Sequence, residues 1–141
     1  ENFYYWILFW GSCSTYCFYF ERDRNFILFL FCLNRFDFSD SDKALQQMDS
    51  DLEQGAEVTI VKPALPYLDV LQTACRRSSR PVAVYHVSGE YAMAVHASEG
   101  GLINLSDYFE EVHTAFYRCG VRYVIGYAAD FFLEWSTRNV A

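Results

Sequence analysis

Basic side chains are scarce in this sequence. Its 141 residues contain 11 Lys and Arg against 18 Asp and Glu, which gives a formal net charge of -7. Proteins that bind nucleic acids usually present a basic surface to the phosphate backbone. The charge balance therefore argues against a nucleic-acid partner.

Cysteine and histidine lack the spacing of a metal site or a disulfide framework. The sequence has five Cys and three His, and the only close Cys pair is Cys13 and Cys17. Neither a second Cys pair nor a His stands at the spacing of a zinc site. An odd number of widely spaced Cys indicates a reducing compartment. We therefore assign no metal ligand from the sequence.

The chain is also too short for some architectures. Its 141 residues fit one ordinary domain, and a hydrophobic content of 52% is enough for a sizeable core. A complete eight-stranded α/β barrel needs roughly 250 residues. A complete barrel of that kind is therefore excluded within this chain.

Residues 1–40 differ in composition from the rest of the chain. Nine of the 13 Phe lie before residue 39, and so do two of the three Trp. The apolar run from Phe3 to Phe20 is marginal for a bilayer span of about 20 residues, and it lacks the pattern of a signal peptide. The segment has three interpretations: a gene-model artefact derived from non-coding DNA, a disordered segment, or a weak membrane anchor. We place the domain proper at residues 41–141.

From residue 41 onward, helical patterns alternate with short β-branched runs. Helices are predicted at 43–54, 67–77, 90–98, 106–119 and 131–137, and strands at 58–61, 81–87 and 123–127. Gly55 and Gly120 follow two of the helices, as is typical of helix C-termini. This alternation predicts an α/β fold with a parallel sheet. The pattern fits both a small open domain and part of a barrel.

Lys62 is the candidate nucleophile. The only other lysine, Lys43, opens a polar helix and is expected at the surface. Lys62 follows a buried strand and precedes Pro63, which keeps it extended at the carboxyl end of that strand, where α/β folds bind ligands. Apolar neighbours disfavour the ammonium form, and a neutral amine can attack a carbonyl to form a Schiff base. The competing interpretation is a side chain that only reaches past the strand end to water.

Two further residues end the neighbouring strands. Ser88 lies where the second strand turns into a helix, so its hydroxyl and the free N–H groups there could bind a carboxylate, or the serine acts only as an N-cap. Tyr127 ends the third strand and should reach the same edge of the sheet, with core packing as the alternative. His86 is expected to face either the interior of a barrel or the helix layer, and His113 is expected to be either a surface residue or a satisfied packing residue.

Three segments carry a resemblance to a known family. Gly55–Asp69, which contains Lys62, closely resembles the active-site lysine segment of the porphobilinogen synthase family, also called 5-aminolevulinate dehydratase. Pro81–Met93 is similar to the next block of that family, and Ala115–Trp135 is similar to its C-terminal end. The resemblance covers about residues 43 to 141 in one continuous order.

The resemblance implies a partial TIM (β/α) barrel that comprises the last three strands and their helices. It implies a hydro-lyase that condenses two molecules of 5-aminolevulinate to porphobilinogen in tetrapyrrole and haem biosynthesis. Lys62 would hold one substrate as a Schiff base, Ser88 and Tyr127 would bind its carboxylate, and Tyr85 would line the pocket. The family further implies zinc or magnesium bound by a segment that is missing here, a homo-octamer, and a location in the cytosol or a plastid.

The family's second Schiff-base lysine and its substrate-binding arginines are also missing from the chain. A barrel that lacks over half its strands has open sheet edges, so independent folding is not assured. We therefore expect this chain alone to have no dehydratase activity. Two alternatives remain: another Schiff-base barrel of the aldolase type, and a non-catalytic fragment, degenerate or membrane-associated.

Overall fold

The computed structural model describes residues 38–129 and residue 131. The interpretations of residues 1–37, and the helix predicted at 131–137 except for its first residue, lie outside the described residues. The described chain runs in the order α1 (Ser41–Glu53), β1 (Thr59–Val61), α2 (Leu68–Arg77), β2 (Val82–His86), α3 (Ser88–Glu99), α4 (Leu105–Cys119) and β3 (Tyr123–Gly126). A 3-10 turn at Leu65–Tyr67 precedes α2.

The three strands form one parallel sheet in the order β1-β2-β3. Ile60 is aligned with Ala83, and Val84 is aligned with Val124. Parallel neighbours need a long crossover connection, which α2 provides between β1 and β2, and α3 with α4 between β2 and β3. The predicted α/β class with a parallel sheet is therefore confirmed.

Alternate residues of the strands belong to two separate cores. Val61, Val84 and Val124 pack with buried side chains of α1, α2 and α4. The opposite face carries Val58, Ile60, Ala83 and Ile125, with Tyr85 and Tyr123 packed against them. Because side chains alternate along a strand, Tyr85 faces away from these three helices and its neighbour His86 faces α4. The helix layer is thus the correct one of the two environments predicted for His86.

Local capping explains the helix ends. The Asp40 side chain accepts a hydrogen bond from the Lys43 backbone N–H, so α1 begins at Ser41, two residues earlier than predicted. At its other end Gly55 has φ of 100°, a left-handed conformation that glycine adopts without a steric penalty. Asn104 caps α4 by accepting from the N–H groups of Ser106 and Asp107, and the helix begins at Leu105, one residue earlier than predicted.

The start of α3 differs from the prediction in a way that matters for the site. The helix begins at Ser88, and the N-cap position is held by Val87 in an extended conformation. The suggestion that Ser88 acts as the N-cap is therefore wrong. The serine is instead the first helical residue, and the Glu90 side chain completes the cap by accepting from the Val87 backbone N–H.

In the described part of the chain, no helix combines the length and the apolar character needed to cross a membrane.

Candidate functional site

Lys62 leaves the carboxyl end of β1 and lies over an aromatic ring. It is half-buried, and its Nζ is 5.9 Å from the centroid of the Tyr85 ring on the neighbouring strand. An amine at this distance from a ring face is attracted by the ring quadrupole when it is charged. The Lys62–Pro63 peptide bond is cis. The amine is thus held at the strand-end edge of the sheet, on the face opposite α2 and α4.

The two tyrosines predicted at this edge contact each other. The hydroxyl groups of Tyr85 and Tyr127 are 3.4 Å apart, close enough for a long hydrogen bond. The Tyr91 ring of α3 packs against the Tyr127 ring at 5.8 Å between centroids. The contacts therefore join Lys62, Tyr85 and Tyr127 into one group, which we call the strand-end cluster.

Ser88 stands at the same edge but is not joined to the strand-end cluster by a hydrogen bond among the described residues. It is exposed at the first position of α3, two residues beyond the end of β2. The first N–H groups of a helix have no partner inside the helix and carry part of its positive dipole. An exposed hydroxyl in this place can donate to an anionic group.

Glu90 is the residue that sequence reasoning missed. It is only 4% exposed, and its carboxylate accepts hydrogen bonds from the backbone N–H groups of Ala64 at 3.1 Å, Leu65 at 2.6 Å and Val87 at 2.9 Å. A glutamate three residues after an N-cap is the usual partner in a capping box, but the cap residue here is Val87, so the familiar signature is absent from the sequence. The bonds to Ala64 and Leu65 bridge 26 and 25 residues and have no local signature at all.

Two buried histidines lie on the other side of the sheet. His86 is 1% exposed, and neither ring nitrogen has a hydrogen-bond partner among the described residues. Burial lowers the pKa of His86, and the nearby Glu90 carboxylate partly opposes this shift. Burial also lowers the pKa of His113 to about 3, although the bond that its Nδ1 donates to the Phe109 carbonyl opposes the change. Both imidazoles are therefore neutral packing groups between β2 and α4, apart from the strand-end cluster.

The described cysteines are packing residues as well. Burial raises the pKa of the Cys75 thiol to about 11 and also raises that of Cys119, so neither favours the thiolate form that binds metals. Within residues 38–129 and 131, no group of three His, Cys, Asp or Glu side chains could hold a metal ion. The described residues therefore do not fit the metal that the family resemblance implies.

A family model described as delta-aminolevulinic acid dehydratase matches residues 33–135 of this chain. Among the curated relatives, the delta-aminolevulinic acid dehydratase of Macaca fascicularis is 41% identical over 97 residues, which is 68% of this chain and 29% of the relative. The chloroplastic enzyme of the same name from Chlamydomonas reinhardtii is 44% identical over 85 residues, 60% of this chain and 22% of the relative.

A solved structure is similar in fold as well as in sequence. The delta-aminolevulinic acid dehydratase (porphobilinogen synthase) of Toxoplasma gondii ME49, crystallised with the reaction product porphobilinogen, has a TM-score of 0.70 and 41% identity. The match covers 73% of this chain and 29% of that one, so this chain spans less than a third of the length of these relatives. The family predicted from the lysine segment is confirmed: the chain belongs to the delta-aminolevulinic acid dehydratase family.

Proposed function

We propose that this chain is the C-terminal part of a porphobilinogen synthase and that its strand-end cluster binds one molecule of 5-aminolevulinate. The observation that carries the proposal is the approach of Lys62 Nζ to the Tyr85 ring beside the hydroxyl of Tyr127, in a member of this family. A primary amine, an aromatic wall and hydroxyl donors are the groups that a keto acid requires. The proposed architecture is a partial TIM barrel of which β1, β2 and β3 are the last three strands.

The proposed chemistry begins at the amine of Lys62. The neutral Nζ attacks the ketone carbon of 5-aminolevulinate, the resulting hydroxyl takes up a proton and leaves as water, and an iminium remains on the lysine. The positive iminium withdraws electrons from the adjacent carbon and eases the removal of its proton. Formation of one C–C and one C–N bond to a second 5-aminolevulinate, with loss of a second water and release of Lys62 as the free amine, then gives porphobilinogen.

The other residues at this edge of the sheet have binding roles in this proposal. The Tyr127 hydroxyl and the Ser88 hydroxyl, with the free N–H groups at the start of α3, hold the substrate carboxylate. Tyr85 forms the wall of the pocket beneath the amine. Zinc or magnesium would be bound by a family segment that is missing from this chain, and the working enzyme is a homo-octamer in the cytosol or a plastid.

Borohydride trapping tests the role of Lys62. Incubation with 5-aminolevulinate and borohydride should convert the iminium to a stable secondary amine, and mass spectrometry of the peptides should find the adduct on Lys62. Lys43 serves as the internal control, because it is exposed in the first turn of α1 and paired with Asp40. Lys62→Arg should abolish the adduct. An adduct equally distributed over both lysines, or none at all, would contradict the proposal.

A second variant separates binding from bond formation. Tyr127→Phe should raise the 5-aminolevulinate concentration needed for half-maximal trapping, because one carboxylate donor is lost. Tyr117→Phe makes the same change at an exposed position of α4 and should leave this concentration unchanged.

The chain alone is expected to form no porphobilinogen in a colorimetric assay.

A further inference from the structure

Glu90 is a buried acidic side chain to which the proposed chemistry gives no task. A carboxylate in this position is tolerated only if it is hydrogen-bonded. None of the ion pairs among the described residues includes it; three backbone N–H groups satisfy it instead. Hydrogen bonds of this kind, from N–H groups to an ionised acceptor, are among the stronger ones in proteins.

These three bonds connect the two loops that carry the site. Ala64 and Leu65 belong to the loop that follows Lys62, whereas Val87 immediately precedes Ser88. One atom, Oε2, accepts from both Ala64 and Val87, so a single oxygen joins the end of β1 to the end of β2. Because Pro63 has no N–H group, the donor of Ala64 is the first one available after Lys62, and Glu90 binds it.

From this geometry we infer that Glu90 is a positioning residue that holds Lys62 and Ser88 at a fixed separation for capture of the keto acid. The inference rests on the proposed function, since it assigns Glu90 to the same site. Glu90 acts only through the backbone and touches no reacting atom. Its effect is to fix the direction in which the lysine side chain leaves the strand.

A plain helix cap makes a different prediction. Capping α3 requires only the bond from Val87, and a cap alters how much of the protein is folded. The bonds from Ala64 and Leu65 also fix the position of the loop that follows Lys62. Loss of a positioning residue therefore lowers the rate constant of Schiff-base formation in the folded protein, whereas loss of a plain cap lowers only the amplitude, that is, the fraction of the protein that reacts.

The experiment compares Glu90→Gln and Glu90→Ala with Glu99→Gln and Glu99→Ala in the 141-residue chain. Glu99 lies at the exposed end of the same helix and provides the matched controls. Each protein is mixed with saturating 5-aminolevulinate and borohydride, and labelling of Lys62 is followed in time. We expect Glu90→Ala to lower the rate constant by about tenfold or more, since small misplacements of a reacting group have effects of this size. Glu90→Gln retains the volume and one acceptor oxygen, so it should fold and show a smaller loss.

The outcomes distinguish the inference from the proposed function. Unchanged rate constants in both Glu90 variants, or a loss confined to the amplitude, overturn the positioning role. If the unaltered chain forms no adduct, the proposed function fails. The positioning role of Glu90 is then tested by the extent to which acetic anhydride acetylates Lys62 relative to Lys43. In that case Glu90→Ala should raise the Lys62 to Lys43 ratio and Glu99→Ala should not. An unchanged ratio would overturn the inference independently.

Discussion

Acidification is expected to destabilise this fold through His113, which is buried between α4 and the sheet. The ring of His113 packs edge-on against Phe109, Phe116 and His86, and its Nδ1 donates to the Phe109 carbonyl. Burial lowers the pKa of His113 from 6.5 to about 3, so the native state holds the imidazole neutral. An unfolded chain would take up a proton at a pH near 6.5.

The sign of the effect follows from proton binding. Between pH 6.5 and pH 3 the unfolded state binds more protons than the native state, so the free energy of unfolding rises with pH in this window. His113 therefore leaves the free energy of unfolding unchanged above pH 6.5 and reduces it progressively as the pH falls below 6.5. For a native pKa of about 3, the loss between pH 7.5 and pH 5 is about 2 kcal/mol from His113 alone. His86, whose pKa is also lowered, acts in the same direction, and the Glu90 carboxylate opposes it.

The assay is urea unfolding of the 141-residue chain at pH 7.5 and pH 5, followed by circular dichroism. His113→Phe removes the titrating group within an aromatic cluster, and it should reduce the stability loss between these pH values by about 2 kcal/mol. His96→Phe makes the same change at an exposed histidine, which pairs with Glu99, and serves as the control. Equal pH dependence in the unaltered chain and in His113→Phe would refute the reasoning.

The remaining predictions concern packing, capping and thiol reactivity. Phe116→Ala removes a ring that is 0% exposed and leaves a cavity, so it should lower the free energy of unfolding by about 3–5 kcal/mol in urea titrations. Tyr117→Ala, at the exposed neighbouring position, should lower it by about 1 kcal/mol or less. Asn104→Ala removes the oxygen that caps α4 and should cost about 1 kcal/mol by the same measurement; no change would mean that the cap is not formed in solution. Because burial raises the pKa of Cys75 to about 11, iodoacetamide should modify this thiol at pH 8.5 at least about tenfold more slowly in the folded chain than in urea, and equal rates would contradict its burial.

Two residues of the strand-end cluster, Lys62 and Tyr127, were predictable because each follows a strand of one parallel sheet, whereas Tyr85 was named only through the family resemblance. Lys62 and Tyr127 follow β-branched runs, and the carboxyl ends of parallel strands meet at one edge of a sheet. A parallel sheet therefore predicts their proximity without any knowledge of the side-chain contacts. The contact between the Tyr85 and Tyr127 hydroxyls is a further step that depends on side-chain geometry.

Glu90 shows where that reasoning stops. Its sequence neighbourhood, Val87-Ser88-Gly89-Glu90, has a serine one place too late for a standard capping box, and the sequence left open whether Ser88 was a cap or a carboxylate-binding residue. Its other partners lie about 25 residues earlier in the chain. No periodicity or spacing rule connects a side chain to backbone donors at that separation.

By itself, the sequence determined which segments become helices and strands and which family the chain belongs to. These features depend on short-range information: apolar periodicity, the capping Asp40, the left-handed turn at Gly55, and the residues around Lys62. Only the tertiary structure decided that His86 packs against α4 and that one carboxylate ties together the loops after β1 and β2. The physical reason is that burial and long-range hydrogen bonds depend on how the elements pack against one another, whereas secondary structure depends largely on neighbours along the chain.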